Sequence, residues 1–197
     1  MSQPPALPVQ KRAWDTRTRI LEAAVACLAE EGYAEATTSR IQARAGVSRG
    51  SLLHQFPSKD DLLIAAVHHL AAARTADLEE QGRRTAGDVD AAVETLWDTL
   101  HGPLFAATLE LWIAAKNNPE LAAVLSPREH ELGRAIRGVV AKLFGPELAS
   151  RPGFPDLMSL LLSSMRGVAL TYTFERRDHR KDPHLALWKR MARTALG

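Results

Sequence analysis

Cations and hydroxyls crowd one short stretch of this sequence. Between Glu35 and Asp60 there is no acidic residue, while Arg40, Arg44, Arg49 and Lys59 all fall inside that window. Thr37, Thr38, Ser48 and Ser51 stand among them. An acid-free basic surface is what phosphate binding needs, because each fixed anion would repel a polyanion. The chain as a whole carries a net charge of only +2, so any such binding must come from a local patch. Ser48, Thr37 and Thr38 can donate hydroxyls to phosphate oxygens, and helix N-termini favour anions in the same places. Arg49 can reach a guanine edge or a phosphate. Beside it, Gly50 and Ser51 are small enough to let the backbone approach the floor of a major groove.

Groups like these work only if short rigid elements hold them. Thr37 or Thr38 caps a helix that ends at Ala45, and Gly46 breaks it. Ser48 caps a second short helix ending near Phe56, and Pro57 closes it. Ile41, Ala45, Val47, Leu52 and Phe56 supply a small apolar core, and the whole has the pattern of a helix-turn-helix. Ahead of it, the spacing of Ile20, Ala24, Cys27 and Leu28 predicts a helix over 14–31, stopped by Gly32. After it, Ser58 opens a long helix to about residue 81, and a polar, glycine-bounded loop is expected over 82–87. Further helices are expected over 89–101, 103–117, 119–125, 127–144, 155–174 and 183–196, several of them opening beside a proline. No stretch alternates as a strand would. The chain is therefore expected to be all-α, with a helix-turn-helix DNA-binding head over 11–57 and a helical body over 58–197. Residues 1–10, with Pro4, Pro5 and Pro8, are expected to be a disordered arm.

The run from Thr37 to Leu52, followed by Phe56-Pro57-Ser58-Lys59 and Leu62-Leu63, resembles the TetR family of repressors. The resemblance covers about the first third of the chain. It implies an all-helical homodimer in which each subunit has a three-helix DNA-binding head, a connecting fourth helix and a divergent ligand-binding body. It assigns phosphate contacts to Thr37 or Thr38, Ser48 and Lys59, and base reading to Arg44, Arg49, Gly50 and Ser51. The family often has tyrosine where Leu53 stands and histidine where Gln55 stands. Leu53 cannot donate to a phosphate, and His54 beside it is the partial substitute. The implied partners are an operator in double-stranded DNA, a small-molecule effector of unknown identity and a second copy of the chain.

The body offers two further expectations. Residues 156–174 read as a helix apolar nearly all round, which must be buried on both sides. With the stripe on the last helix it suggests a four-helix seam between two subunits, drawing on Leu157, Leu160, Leu161, Val168, Leu185, Trp188 and Met191. Trp97, Phe105, Leu109, Trp112, Met158, Leu162 and Met165 are the candidates for lining an apolar cavity. Glu110 and Arg166 stand in otherwise apolar segments and either pair with each other or orient a polar group of the ligand.

Other chemistries find little support. Cys27 is the only cysteine, so no intrachain disulfide can form, and its apolar helix face reads as core. The seven histidines include no H-E-x-x-H pair, and neither a metal nor a cofactor is expected. Gly46-Val47-Ser48-Arg49-Gly50 matches the G-x-S-x-G of serine hydrolases, but that motif needs a strand before the serine and here a helix precedes it. No catalytic residue is assigned. A helical enzyme or a protein-binding module using the C-terminal cavity is the alternative. No signal peptide or membrane span is visible, which predicts a cytoplasmic protein.

Overall fold

The computed structural model describes residues 9–85, 87–175 and 177–197. Among the described residues ten α-helices follow one another: α1 (Val9–Glu35), α2 (Thr38–Ala45), α3 (Arg49–Gln55), α4 (Lys59–Thr85), α5 (Val89–Asp98), α6 (Pro103–Lys116), α7 (Pro119–Phe144), α8 (Pro146–Ala149), α9 (Phe154–Thr171) and α10 (Pro183–Leu196). A single 3₁₀ turn, His179–Lys181, precedes the last of them, and no strand occurs among the described residues. The arm expected over 1–10 lies outside the described residues for 1–8, while Val9 and Gln10 already belong to α1.

The chain divides into two compact units. The first runs to Leu70 and includes Ala107–Leu125. Its core is built where the helical spacing placed it: Ile20, Ala24, Cys27 and Leu28 of α1, Ile41 of α2, Leu52 of α3, and Leu62, Leu63, Ala66 and Val67 of α4 are all buried, and Leu21 of α1 joins them. The second unit comprises Ala71–Ala106 and Ser126–Gly197. Here Trp97, Val140, Phe144, Phe154, Leu161, Met165, Trp188 and Leu196 form one buried cluster. Burial of aromatic and branched side chains on this scale is the main driving force for each unit, at about 25 cal/mol per Å² of apolar surface removed from water.

Several helix boundaries differ from expectation for identifiable reasons. Gly82 does not end α4, which continues to Thr85. A Cβ at Gly82 would lie 3.0 Å from the Leu143 Cα and 3.2 Å from the Lys142 carbonyl oxygen, so the glycine permits close backbone approach. Pro127 does not open a helix but lies inside α7. Its fixed φ is itself helical, but inside the helix it removes one amide donor and its ring crowds the carbonyl four residues back. Gly145 (φ 89) ends α7, and Pro146 opens the unanticipated α8. Helix α9 stops at Thr171 rather than 174. Phe174 is exposed, so no burial favours its continuation.

Candidate nucleic-acid interface

The head is assembled from caps. The Thr37 hydroxyl oxygen accepts from the Arg40 amide at 3.3 Å and starts α2. Gly46 ends it in the left-handed region (φ 63, ψ 41), its amide donating to the Ala43 carbonyl at 3.2 Å. Ser48 then caps α3, accepting from the Ser51 amide at 3.2 Å. A hydroxyl that caps by accepting keeps its own hydrogen to donate outward. Leu52 pins α3 to the core at 1% exposure. Around it, Ser48, Arg49, Gly50, Leu53 and His54 are exposed and Ser51 is half-buried. Thr38, Ser39, Gln42, Arg49, Leu52 and Leu53 line a shallow cleft. Ser48 therefore sits at a helix entrance reached from a helix through a left-handed glycine, not on a strand-to-helix elbow.

The basic window is free of acids in sequence but not in space. Arg44 makes a bidentate contact with the Glu30 carboxylate, at 2.6 and 2.7 Å. The hydrogen bond raises the pKa of the guanidinium and lowers that of the carboxylate. Arg40 pairs with Glu31 and, at 3.0 Å, with Glu35. All three acids come from the end of α1, outside the window that sequence reasoning inspected. Arg49 is exposed and, among the described residues, faces no carboxylate. Lys59 makes contacts within the chain. Its ammonium donates to the Tyr33 carbonyl at 2.5 Å and to that of Ala34 at 3.4 Å, and stands 4.1 Å from the Tyr33 ring centre. Burial lowers its pKa.

The residues expected to line a cavity are divided between the units. Leu109, Glu110 and Trp112 belong to the first, where the Glu110 Oε2 accepts from the Tyr33 amide at 3.4 Å. Trp97, Phe105, Met158, Leu162, Met165 and Arg166 belong to the second. There Trp97 and Met165 are fully buried, while Phe105, Met158, Leu162 and Arg166 are half-buried.

The expected dimer set separates in the same way. Leu157, Leu161 and Trp188 are buried within the chain's own core and leave almost no surface for a partner. The Trp188 indole donates to the Ser164 hydroxyl at 3.0 Å. An all-round apolar helix does not reveal which of its faces the chain itself covers. Val168 and Leu185 are partly buried, and Leu160 and Met191 are exposed. Leu170 and Leu187, which sequence reasoning passed over, are exposed on the same two helices.

A second polar cluster was not anticipated. The His101 and His179 rings stack with centres 4.0 Å apart. His179 Nε2 lies 2.7 Å from an Asp98 oxygen, and its carbonyl accepts from the Trp97 indole at 2.8 Å. The Tyr172 hydroxyl donates to buried Asp182 at 2.6 Å. Burial and the neighbouring His179 push the His101 pKa down to about 4. Among the described residues no group of His, Cys, Asp or Glu is arranged to hold a metal ion, and no helix is long and apolar enough to cross a membrane.

Comparison with known proteins bears on both parts of the chain. Residues 20–66 match the family model described as bacterial regulatory proteins, tetR family. The HTH-type transcriptional regulator CymR of Pseudomonas putida is 27% identical over 177 residues, covering 86% of this chain and 85% of CymR. The HTH-type transcriptional repressor AcnR of Corynebacterium efficiens is 30% identical over 132 residues, 65% of each chain. Among solved structures, the regulator FadR of Bacillus subtilis, in complex with stearoyl-CoA, superposes with a TM-score of 0.65 at 20% identity, over 91% of this chain and 97% of FadR.

Proposed function

The chain belongs to the TetR family of bacterial regulatory proteins and is a DNA-binding transcriptional regulator, and from that premise we propose that it is a repressor released by a small, largely apolar ligand. It binds a roughly palindromic operator as a homodimer. Thr37, Thr38 and Ser48 anchor phosphates, Arg49 reads a base edge, and Gly50 and Ser51 let α3 lie close to the groove floor. The observation that carries this reading is α3 itself, a short rod pinned by Leu52 with Arg49 exposed at its first turn. AcnR is named a repressor and FadR holds an acyl-CoA. The first supports the proposed sign of regulation for this chain, and the second supports binding of an effector by its body. The ligand acts by binding the low-affinity conformation better than the operator-binding one, which is the condition for any such release.

Selection of duplexes from a random pool by the purified protein tests the proposal directly. One roughly palindromic sequence is expected to emerge and to bind with strong salt dependence. Equal affinity for that duplex and its scrambled version would overturn operator recognition. No catalytic role is proposed for Ser48, which caps α3.

A further inference from the structure

Helix α2 carries polar side chains on both flanks of one buried stripe. Ile41 and Ala45 form the stripe. On one flank Arg40 and Arg44 face the acids that end α1, and the Arg44 fork is filled by the Glu30 carboxylate. On the other flank stand Thr38, Ser39 and Gln42, at i, i+3 and i, i+4 spacings that share a helix face. That flank opens toward α3, because these three residues line one shallow cleft together with Arg49, Leu52 and Leu53. The charges of α2 are therefore turned away from α3, and its neutral groups toward it. Gln42 is half-buried in this cleft. Its backbone carbonyl accepts from the Val47 amide at 3.3 Å. Among the described residues its side-chain amide has no partner within the chain, so its donors and its acceptor are available to a ligand.

We infer that Gln42 is a specificity-determining residue of the head, reading an adenine edge in the major groove alongside the base that Arg49 contacts. The inference rests on the regulator reading above and deepens it: the second base reader lies on α2 and is a neutral amide, not Arg44. In the major groove adenine presents N7 as an acceptor and its N6 amine as a donor. A carboxamide matches that pair with one donor and one acceptor, as an arginine fork matches guanine O6 and N7. Gln42 and Arg49 share one cleft, so they are placed to discriminate at separate base pairs of one half-site. Arg44 reaches a base only by leaving the Glu30 carboxylate. Gln42 has no such contact to break, and a hydrogen bond to adenine replaces one to water.

The test uses the full-length protein and the duplex that the wild type selects from a random pool, with single base-pair changes of that duplex as competitors. Gln42→Ala places the strongest helix former in α2. It is expected to lose about tenfold of discrimination at one A·T pair in each half-site, a pair other than the one that Arg49→Ala relaxes. The slope of affinity against salt should stay as in the wild type, because a neutral amide releases no counterion. Gln42→Glu keeps an acceptor for N6 but loses the donor for N7, and cytosine offers its N4 amine to a carboxylate. Selection with this variant is expected to replace that adenine by cytosine. Equal weakening against every duplex would make Gln42 a phosphate contact or a packing residue, and it overturns the inference. An adenine preference that survives either substitution, or that is lost on Arg44→Ala alone, overturns it too. These outcomes leave the regulator reading intact. Failure of the wild type to select any duplex overturns that reading and the inference with it.

Discussion

Arg49 and Arg44 illustrate how different two arginines of one head can be. Arg44 is already committed to a bidentate contact with Glu30 and must surrender that carboxylate before it reaches a base. Arg49 has no such debt. Arg49→Ala is therefore expected to cost about 1–3 kcal/mol of operator binding and to relax sequence preference at one position of each half-site. Arg44→Ala should cost less, since its guanidinium gives up the Glu30 carboxylate in order to bind. Competition binding against single-position operator variants checks both, and a larger loss at Arg44 would reverse the assignment. The caps at Ser48 and at Thr37 or Thr38 were legible in the sequence because a capping hydroxyl and its helix are neighbours along the chain, and the structure picks Thr37. The acids on Arg40 and Arg44 were not, because a pairing across two helices leaves no mark in a local window. The histidine cluster was hidden in the same way, and it has a pH consequence. His101 titrates near its ordinary 6.5 in the unfolded chain but at about 4 in the fold. Between those values the unfolded chain binds more protons, so stability is full above about pH 6.5 and falls as pH drops toward 4. Asp98 and Asp182 oppose the shift without reversing it. His101→Phe should flatten that acid limb in denaturant titrations. An identical pH slope in the variant would show that another group is responsible.

Glycines separate local preference from packing once the helices are in place. A helical glycine is ordinarily about 0.5–1 kcal/mol worse than alanine, and Gly138 in α7 has open space where its Cβ would be. Gly138→Ala is expected to stabilise by that amount. Gly82 in α4 has the same local preference but meets the α7 backbone at 3.0 Å. Overpacking of this kind costs about 1–3 kcal/mol, which exceeds the gain in helix propensity. Gly82→Ala should therefore lower the melting temperature while Gly138→Ala raises it, and calorimetry on the pair decides the matter. If both stabilise, the close approach of α4 and α7 is not a constraint. This contrast also explains one misread boundary. Gly82 looks like a helix stop because composition shows a missing side chain and not the backbone that fills its place. Gly46 was read correctly because it ends its helix in the left-handed region, a job done within the local chain. Pro127 misled for a related reason, since proline's preference for a first helical turn does not say whether the preceding helix also continues through it.

At the scale of the whole molecule, the all-α architecture followed from periodicity, while the compact units draw on packing between distant segments. The first compact unit contains the 11–57 segment together with α4 as far as Leu70 and Ala107–Leu125. Long-range packing of that kind has no signature in a linear pattern. The same limit applies to the proposed dimer. Hydrophobicity marked α9 and α10, yet Leu161 and Trp188 face the chain's own core. What remains outside is a stripe of apolar side chains, with Leu160 42% and Leu170 47% exposed on α9 and Leu187 41% and Met191 37% exposed on α10. A self-complementary seam would use these residues, since an isologous interface presents the same patch twice. Dimerisation matters to the proposed function because two heads must meet two half-sites about 34–36 Å apart, or a comparable distance. Leu160→Glu combined with Leu170→Glu places like charges across the two-fold axis without disturbing any buried side chain. The double variant is expected to sediment as a monomer with helix content and melting behaviour retained. Its affinity for the palindrome should collapse toward the sequence-independent level, while salt-dependent binding to any duplex persists. Sedimentation velocity and anisotropy on one preparation read both effects. A double variant that stays dimeric would move the seam away from α9, and a monomer with full operator affinity would show that the heads act singly.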